Sequence, residues 1–350
     1  MSQSSPFRTL LVTGGAGFIG SNFIHHWLKK YPNDKILNLD ALTYAGNLAN
    51  LESIEQQANY IFIEGSINDR DLVERIMTDV DVVVHFAAES HVDRSILTPD
   101  IFLQTNVLGT HTLLQAALKN NIQRFHHIST DEVFGSLPLG STEKFTLQTG
   151  YDPRSPYSAS KAASDHLVRA YGETFGLPYT LTNCSNNYGE YHFPEKLFPL
   201  AITNVLEDKK VPVYGNGLHV RDWLYVQDHC TAIERVLIDG KEGQTYLVGG
   251  LDDGVSNLEV VKLMLKLMNK SEDMIEFIQD RPGHDLRYAI DWSYLRDELE
   301  WQPSVDLETG LQRTIDWYKN NEAWWKPLKD RSQGFFKQNY DTKRVGPALT

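Results

Sequence analysis

The chain has 350 residues, 41% of them apolar and 23% charged, which is ordinary for a soluble globular protein and enough to bury a large core. Lys and Arg number 33 against 46 Asp and Glu, a formal net charge of −13. That balance argues against a partner held by bulk positive charge, whether a nucleic acid polymer or an anionic membrane, and leaves room for a small anion met by a few placed cations. The two cysteines, Cys184 and Cys230, form neither a disulfide framework nor a Cys-x-x-Cys metal site and point to a reducing compartment. Residues 1–8 lack the pattern of a signal peptide, and no run approaches the roughly 18 apolar residues of a membrane span. The expectation is a cytoplasmic protein.

Leu10-Leu11-Val12 is a short apolar strand running into glycine-rich sequence. A helical pattern over 18–30 follows, with Ile19, Phe23, Ile24, Trp27 and Leu28 on one side. Strands follow at 36–39, ending at Asp40, and at 60–63, then a helix over 69–77 and a strand over 82–86. A helix over 106–119 leads to a fifth strand, 125–129. Strands alternating with helices mean parallel βαβ units, with ligands at the carboxyl ends of the strands. Beyond Asn186 the texture changes: residues 188–214 are rich in Pro, Gly and aromatics, helices are expected over 257–268 and 306–318, and the segment after Leu328 is polar and reads as a tail. The expected fold is α/β, a Rossmann-type doubly wound parallel sheet with a smaller C-terminal α/β substrate-binding domain. The division places 1–188 in the nucleotide-binding domain, with 222–253 returning to it, 189–221 and 254–330 in the substrate-binding domain, and 331–350 in the tail.

The segment between the first strand and its helix, Thr13-Gly14-Gly15-Ala16-Gly17-Phe18-Ile19-Gly20, spaces Gly14, Gly17 and Gly20 as a variant dinucleotide fingerprint. Glycine permits the tight turn and close approach to a pyrophosphate, and the helix N-terminus offers it free N–H groups. Glycines also punctuate ordinary turns, but here Asp40 ends the second strand 20 residues after Gly20, where a carboxylate takes the adenosine ribose hydroxyls and repels a 2′-phosphate. The pattern points to NAD rather than NADP.

Tyr157-Ser158-Ala159-Ser160-Lys161 places Tyr157 and Lys161 on one helical face, with Pro156 suited to the first turn. A tyrosine titrates near 10 and needs a neighbouring cation to act as a base at neutral pH. Lys161, with the charge of oxidised nicotinamide, is expected to supply that bias. Thr130-Asp131-Glu132 follows the fifth strand, at the edge where a site is expected. Adjacent carboxyls can part their pKa values into one acid and one base, which suits elimination of water; they can equally serve as the first turn of a helix.

With these residues in place, the chain resembles the extended short-chain dehydrogenases/reductases, over nearly its whole length to about residue 328. The resemblance implies a Rossmann domain, bound NAD, a nucleotide-sugar substrate and a helical homodimer interface. Thr130-Asp131-Glu132 further resembles the dTDP-glucose 4,6-dehydratase family, as do residues 42–47, 87–95, 183–189, 192–197, 213–217, 221–226 and 280–285. That likeness implies conversion of dTDP-glucose to dTDP-4-keto-6-deoxy-glucose and water, in deoxysugar biosynthesis such as that of dTDP-rhamnose. By the same likeness Thr130, Asp131, Glu132, Tyr157 and Lys161 are catalytic, Asp131 as acid and Glu132 as base.

Toward NAD it places Gly14, Gly17, Phe18, Ile19, Gly20, Asp40, Ala41, Leu42, Thr43, Ser66, Ile67, Ala87, Ala88, Glu89, Ser90, Thr105 and Asn187, with Tyr157 and Lys161. Toward the substrate it places His91, Thr130, Asn186, Lys196, Leu197, Pro212, Val213, Tyr214, Arg221, Asn257, Arg281, Pro282, Gly283 and His284. Of these, Lys196, Arg221, Arg281 and His284 are the expected local cations for the nucleotide diphosphate. Two positions depart from the family: Ser66 stands where an acidic residue is usual, and Ala41 where a basic one is frequent. The readings left beside this one are a UDP-sugar 4,6-dehydratase, a nucleotide-sugar 4-epimerase, which needs no Asp-Glu pair, and a non-catalytic NAD-binding sensor. His25-His26 and His126-His127 ride a helix and a strand without a third ligand at zinc spacing, so no metal is expected. Cys184 reads as an apolar filler and Trp324-Trp325 as packing.

Overall fold

Strands that are apolar at every position need cover on both faces. A computed structural model describing residues 5–251 and 253–340 gives them that cover. The strands β1 (Thr9–Thr13), β2 (Lys35–Asp40), β3 (Tyr60–Glu64), β4 (Val82–His85), β5 (Arg124–Thr130), β6 (Tyr179–Cys184) and a last strand, Gln244–Val248, form one seven-stranded sheet. Its order is β3-β2-β1-β4-β5-β6 and then Gln244–Val248, and every pairing is parallel. Leu10 pairs with Val82 and Val12 with Val84, facing Phe23, Trp27, Val226 and Ile233. Leu11 and Val83, one residue out of phase, face Leu113, Leu114, Phe125 and Val168 on the other side. The strand order reverses between β1 and β4, so the crevice lies beyond their carboxyl ends.

The helices Phe18–Lys30 and Val226–Asp239 pack side by side on one face and are tied by Glu234, 3% exposed. Its carboxylate accepts hydrogen bonds from His26 Nε2 at 2.6 Å, Lys30 Nζ at 2.5 Å and Tyr31 Oη at 2.8 Å. Burial opposes the charge, but these donors outweigh it and pull the carboxyl down to about 2. A carboxyl depressed in the fold stabilises it above its unfolded value, and that contribution is lost as pH falls toward the folded one. Glu234→Gln is therefore expected to cost about 3 kcal/mol at neutral pH. The deficit should shrink as the pH is lowered from about 4 toward 2, measured by urea unfolding against pH.

A second hydrophobic cluster lies off the carboxyl edge of the sheet, built from Tyr188, Phe198, Ile202, Val213, Trp223, Met264, Leu311, Ile315, Tyr318 and Trp325 among others. Around it pair Val211–Tyr214 with Ile275–Ile278 and Asn186–Tyr188 with Trp223–Tyr225. A Ser256–Glu259 capping box opens the helix Asn257–Leu267.

The structure corrects three expectations about elements. The segment 331–340 is not an irregular tail: a helix runs Glu322–Tyr340, with Leu328, Lys329 and Ser332 buried. Residues 341–350 of the expected tail lie outside the described residues. The texture of 188–214 conceals the helix Leu197–Leu206, whose Pro199 sits in the first turn, where a missing N–H costs nothing. The helix expected from 106 is regular only over Thr110–Lys119; the preceding turn, Leu103–Gly109, is π-helical.

Candidate active site

The glycine loop closes against the sheet as its composition requires. Gly14 has φ +72°, and a Cβ there would meet the Ala87 backbone at 2.6 Å; a Cβ on Gly20 would meet the Gly14 carbonyl at 2.4 Å. Gly17 caps the helix Phe18–Lys30 without a side-chain hydrogen bond, and no acidic residue lies in its first turn. Its first N–H groups thus face an anion site with no anion supplied by the chain. Gly14→Ala combines a left-handed φ with a backbone clash. We expect it to purify without NAD and to melt lower than the wild type, checked by the absorbance of extracted cofactor and by thermal unfolding.

Asp40, 8% exposed, stands at the end of β2. Its carboxylate accepts from Ala16 N at 2.9 Å and Leu42 N at 2.8 Å, binding the glycine loop to the turn after β2. Each oxygen keeps a lone pair beyond these bonds. Leu42 is the exception among the expected cofactor residues. It does not line the cleft: its N–H is spent on Asp40, and its φ of +46° carries the chain around the turn.

The cleft has a volume of about 730 Å³. Into it open Gly14, Gly17, Phe18, Ile19, Gly20, Asp40, Ala41, Thr43, Ser66, Ile67, Ala87, Ala88, Glu89, Ser90, Thr105 and Asn187. Its other arm is lined by His91, Asn186, Lys196, Leu197, Pro212, Val213, Tyr214, Arg221, Asn257, Arg281 and His284. Thr130, Glu132, Tyr157 and Lys161 lie on the walls as well. Pro282 and Gly283 do not; they form the exposed turn that carries Arg281 and His284.

A Ser155–Ser158 capping box and Pro156 at the first position open the helix Pro156–Phe175, which puts Tyr157 in its first turn. Tyr157 is 8% exposed and lies near the Thr130 hydroxyl. Lys161, 4% exposed, donates to the Ile128 carbonyl at 2.8 Å. The chain by itself does not lower the phenol: burial and the Glu132 charge push Tyr157 well above its ordinary range. The bias expected of Lys161 acts together with the charge of oxidised nicotinamide, and beyond its one carbonyl bond the ammonium keeps its charge and further N–H groups.

The turn needed after β5 is present. Residues Asp131–Phe134 coil tightly, with Thr130 Oγ1 accepting from Glu132 N at 3.3 Å. The two carboxyls part accordingly. Glu132 faces the cleft, where Lys196, Arg281 and Arg221 offset the burial that raises its pKa. Asp131 does not line the cleft. It lies directly behind Thr130, 1% exposed, with Oδ1 taking the Thr130 hydroxyl at 3.3 Å and Oδ2 buried without a partner. Burial first, then Glu132 and Asp222, push its carboxyl well above the usual range. The environment thus makes Asp131 the protonated member and Glu132 the ionisable one.

Of the four expected cations, three are Lys or Arg side chains. Lys196 Nζ donates to Ser90 O at 3.0 Å; Arg221 donates to Asp285 O at 2.9 Å and lies 4.2 Å from the Tyr288 ring centre; Arg281 meets Asp93 at 3.4 Å. At His284 burial and then Arg281 and Arg221 push the ring down to about 3, against the Asp280 carboxylate that lies 2.6 Å from its Nδ1. Buried Arg281 Nε, Asn186 Oδ1 and Asn257 Oδ1 have no partner among the described residues, which is what a polar ligand requires of its site.

The family model described as GDP-mannose 4,6 dehydratase matches residues 11–314. A dTDP-glucose 4,6-dehydratase of Xanthomonas campestris is 50% identical over 97% of this chain and 99% of its own length, and one of Mycobacterium tuberculosis is 49% identical over 94% and 98%. The chain belongs to the dTDP-glucose 4,6-dehydratase family. The crystal structure of the Bacillus anthracis dTDP-glucose 4,6-dehydratase in complex with NAD is 48% identical, with a TM-score of 0.86 over 92% of this chain and 99% of that one. The UDP-glucose 4-epimerase of Thermotoga maritima shares the architecture at a TM-score of 0.83 but only 26% identity, covering 90% and 99%.

Several residues of this 4,6-dehydratase site escaped sequence reasoning. Asn106 clamps the Glu89 backbone at 2.8 and 2.9 Å and reaches Ser160 at 2.8 Å, joining the loop after β4 to the helix of Tyr157. Phe18 stacks on His192 at 4.1 Å, and Arg94 lies 3.8 Å from the Tyr44 ring centre while pairing with Glu195 at 3.1 Å. Together these fasten residues 192–195 across the glycine loop. Tyr44, His192 and Glu195 lay inside the stretches resembling the family and were not singled out; Asn106 carried no motif.

The paired histidines are engaged: His25 with Asn50 O, His26 with Glu234, His126 with Thr180 and His127 with Asp165. Among the described residues, His219, Asp280 and His284 have the composition of a metal site, but the two rings stack at 3.7 Å on one carboxylate, and Arg221 and Arg281 oppose a dication there. Trp325 is 2% exposed, with its Nε1 on Tyr318 O at 2.8 Å, a packing role.

Proposed function

We propose that this chain converts dTDP-glucose to dTDP-4-keto-6-deoxy-glucose and water, with NAD resident in the cleft. The observation that carries the reading is one cleft walled by a Tyr–Lys pair and, at the end of β5, by an acid and a base of separated pKa. Gly14, Gly17 and Gly20, the free helix end and Asp40 would hold the dinucleotide. Bound NAD supplies hydride acceptance and return and the positive charge that makes Tyr157 acidic, so no outside reductant is consumed.

The chain's own residues do the proton work. Tyr157 takes the proton of the sugar 4-hydroxyl, with the Thr130 hydroxyl turned from Asp131 to bond the 4-oxygen. The resulting 4-keto group acidifies C5–H, which Glu132 removes. Asp131 protonates the departing 6-hydroxyl, and a proton returns to C5 when C6 is reduced. Lys196, Arg221 and Arg281 neutralise the diphosphate, with His284, held by Asp280, beside them.

The test is incubation with dTDP-glucose and with UDP-glucose in heavy water, followed by NMR of the product. A 4-keto-6-deoxy product carrying deuterium at C5 supports the reading. Equal turnover of UDP-glucose would make it a UDP-sugar dehydratase, and a C4 epimer would overturn it. The product would feed deoxysugar biosynthesis such as that of dTDP-rhamnose, in the cytoplasm. Exposed Ile101, Leu103, Leu108 and Phe175 on neighbouring helices suit a homodimer, which sedimentation would reveal. Among the described residues no helix is long and apolar enough to cross a membrane.

A further inference from the structure

Behind the Tyr157–Lys161 pair lies a group of sealed polar side chains to which the chemistry above gives no task. Asp165, one helical turn past Lys161, is 0% exposed. Its Oδ2 accepts from the Ser129 hydroxyl at 2.8 Å, the Tyr151 hydroxyl at 2.8 Å and the Asn183 amide at 3.2 Å. Its Oδ1 lies 3.2 Å from His127 Nε2, which lies 3.4 Å from Lys161 Nζ.

We propose that Asp165 is a positioning residue of the active site, a buried counter-charge that anchors the Lys161 ammonium beneath the reacting end of the cleft. The proposal rests on the reading of Tyr157 and Lys161 given above. A buried ammonium tends to lose its proton, and a neutral amine has no charge with which to favour a phenolate. Carbonyl acceptance by Ile128 alone supplies no negative charge. Asp165 does: burial opposes its ionisation, but the contact with the His127 N–H, the Lys161 charge and the Ser129 hydroxyl hold it below the usual carboxylate range.

The other titratable groups that face this pair add no competing charge. Burial and Lys161 push His127 down to about 4, so it lies between the two as a neutral spacer. On β4, burial keeps His85 neutral, held by Thr13 and Thr110; on β6, burial pushes the Cys184 thiol up. Tyr157 stands on the cleft side of Lys161, and Tyr151 is raised by burial. Arg169 is turned to the Tyr151 hydroxyl at 2.9 Å, on the far side of Asp165.

The test is Asp165→Asn in the full-length enzyme with its cofactor. The alkaline limb of the kcat/KM profile should move down by about one pH unit. The pH at which the Lys161 side-chain resonance titrates, in lysine-labelled protein assigned against Lys161→Met, should move with it. Tyr151→Phe, which removes one hydrogen bond but no charge, should leave both in place. Should the Asn variant fail to fold, Asp165→Ser removes the same charge and leaves room for a water to receive the three donors. A lowered melting temperature with an unmoved alkaline limb and an unmoved lysine titration would overturn the proposal and leave Asp165 a structural residue. The lysine titration reads the charge without any turnover, so its outcome is separable from a failure of the dehydratase reading.

Discussion

Asp131→Asn is expected to leave the sugar oxidised at C4 but unable to lose water, slowing product formation by about 10²–10⁴-fold. The amide matches the carboxyl in size and can accept the Thr130 hydroxyl, so the turn Asp131–Phe134 should survive. What it lacks is a proton acid enough to give to a leaving hydroxyl. Burial, Glu132 and Asp222 favour the protonated form of Asp131, and delivery to the 6-hydroxyl requires the side chain to turn from behind Thr130 toward the cleft. Glu132→Gln should fail one stage earlier. Its substrate, recovered after quenching, should carry no solvent deuterium at C5, whereas the Asp131 variant should still exchange there. Rapid quench with NMR of the sugar separates the two, and unchanged turnover in Asp131→Asn would remove that residue from its role.

Tyr157→Phe should abolish the reaction before either carboxyl acts, again by about 10²–10⁴-fold. Phenylalanine fills the same space against Phe102, whose ring centre lies 6.3 Å away, so folding and ligand retention should persist. Exchange at C5 should vanish as well, because C5–H is acidified only after C4 is oxidised. A variant that still exchanged C5 would mean that another group removes the 4-hydroxyl proton.

How much of this was legible in the sequence differs by kind of residue. The glycine loop, Asp40, Tyr157 and Lys161 could be read because backbone geometry fixes their spacing: a turn needs glycine at set offsets, and a helix brings i and i+4 together. The Asp-Glu pair was legible only through the family resemblance. Five of the seven strands followed from their apolar runs; Tyr179–Cys184 and Gln244–Val248, interrupted by Thr180, Thr182, Asn183 and Thr245, did not. The orientation of the acidic pair was not legible, since whether Asp131 faces the cleft or lies behind Thr130 depends on a turn that propensity does not dictate. Nor were the surroundings of His284, where the fold sets burial, Arg281 and Arg221 against the Asp280 carboxylate. Leu42 looked like a contact because of its neighbours, but its N–H was already spent on Asp40. The helix Glu322–Tyr340 was missed because its burial falls on Trp325, Leu328, Lys329 and Ser332, where two polar residues hide the apolar period.

The fastening of residues 192–195 over the glycine loop, through Phe18 on His192 and Arg94 on Tyr44 and Glu195, has a metabolic consequence. A dinucleotide enclosed this way exchanges with its surroundings only when aromatic and ionic contacts open together, while each catalytic cycle restores it to its starting state. Such an enzyme is insulated from the cell's balance of oxidised and reduced nicotinamide. Its net reaction draws on neither the oxidised nor the reduced nicotinamide of its surroundings.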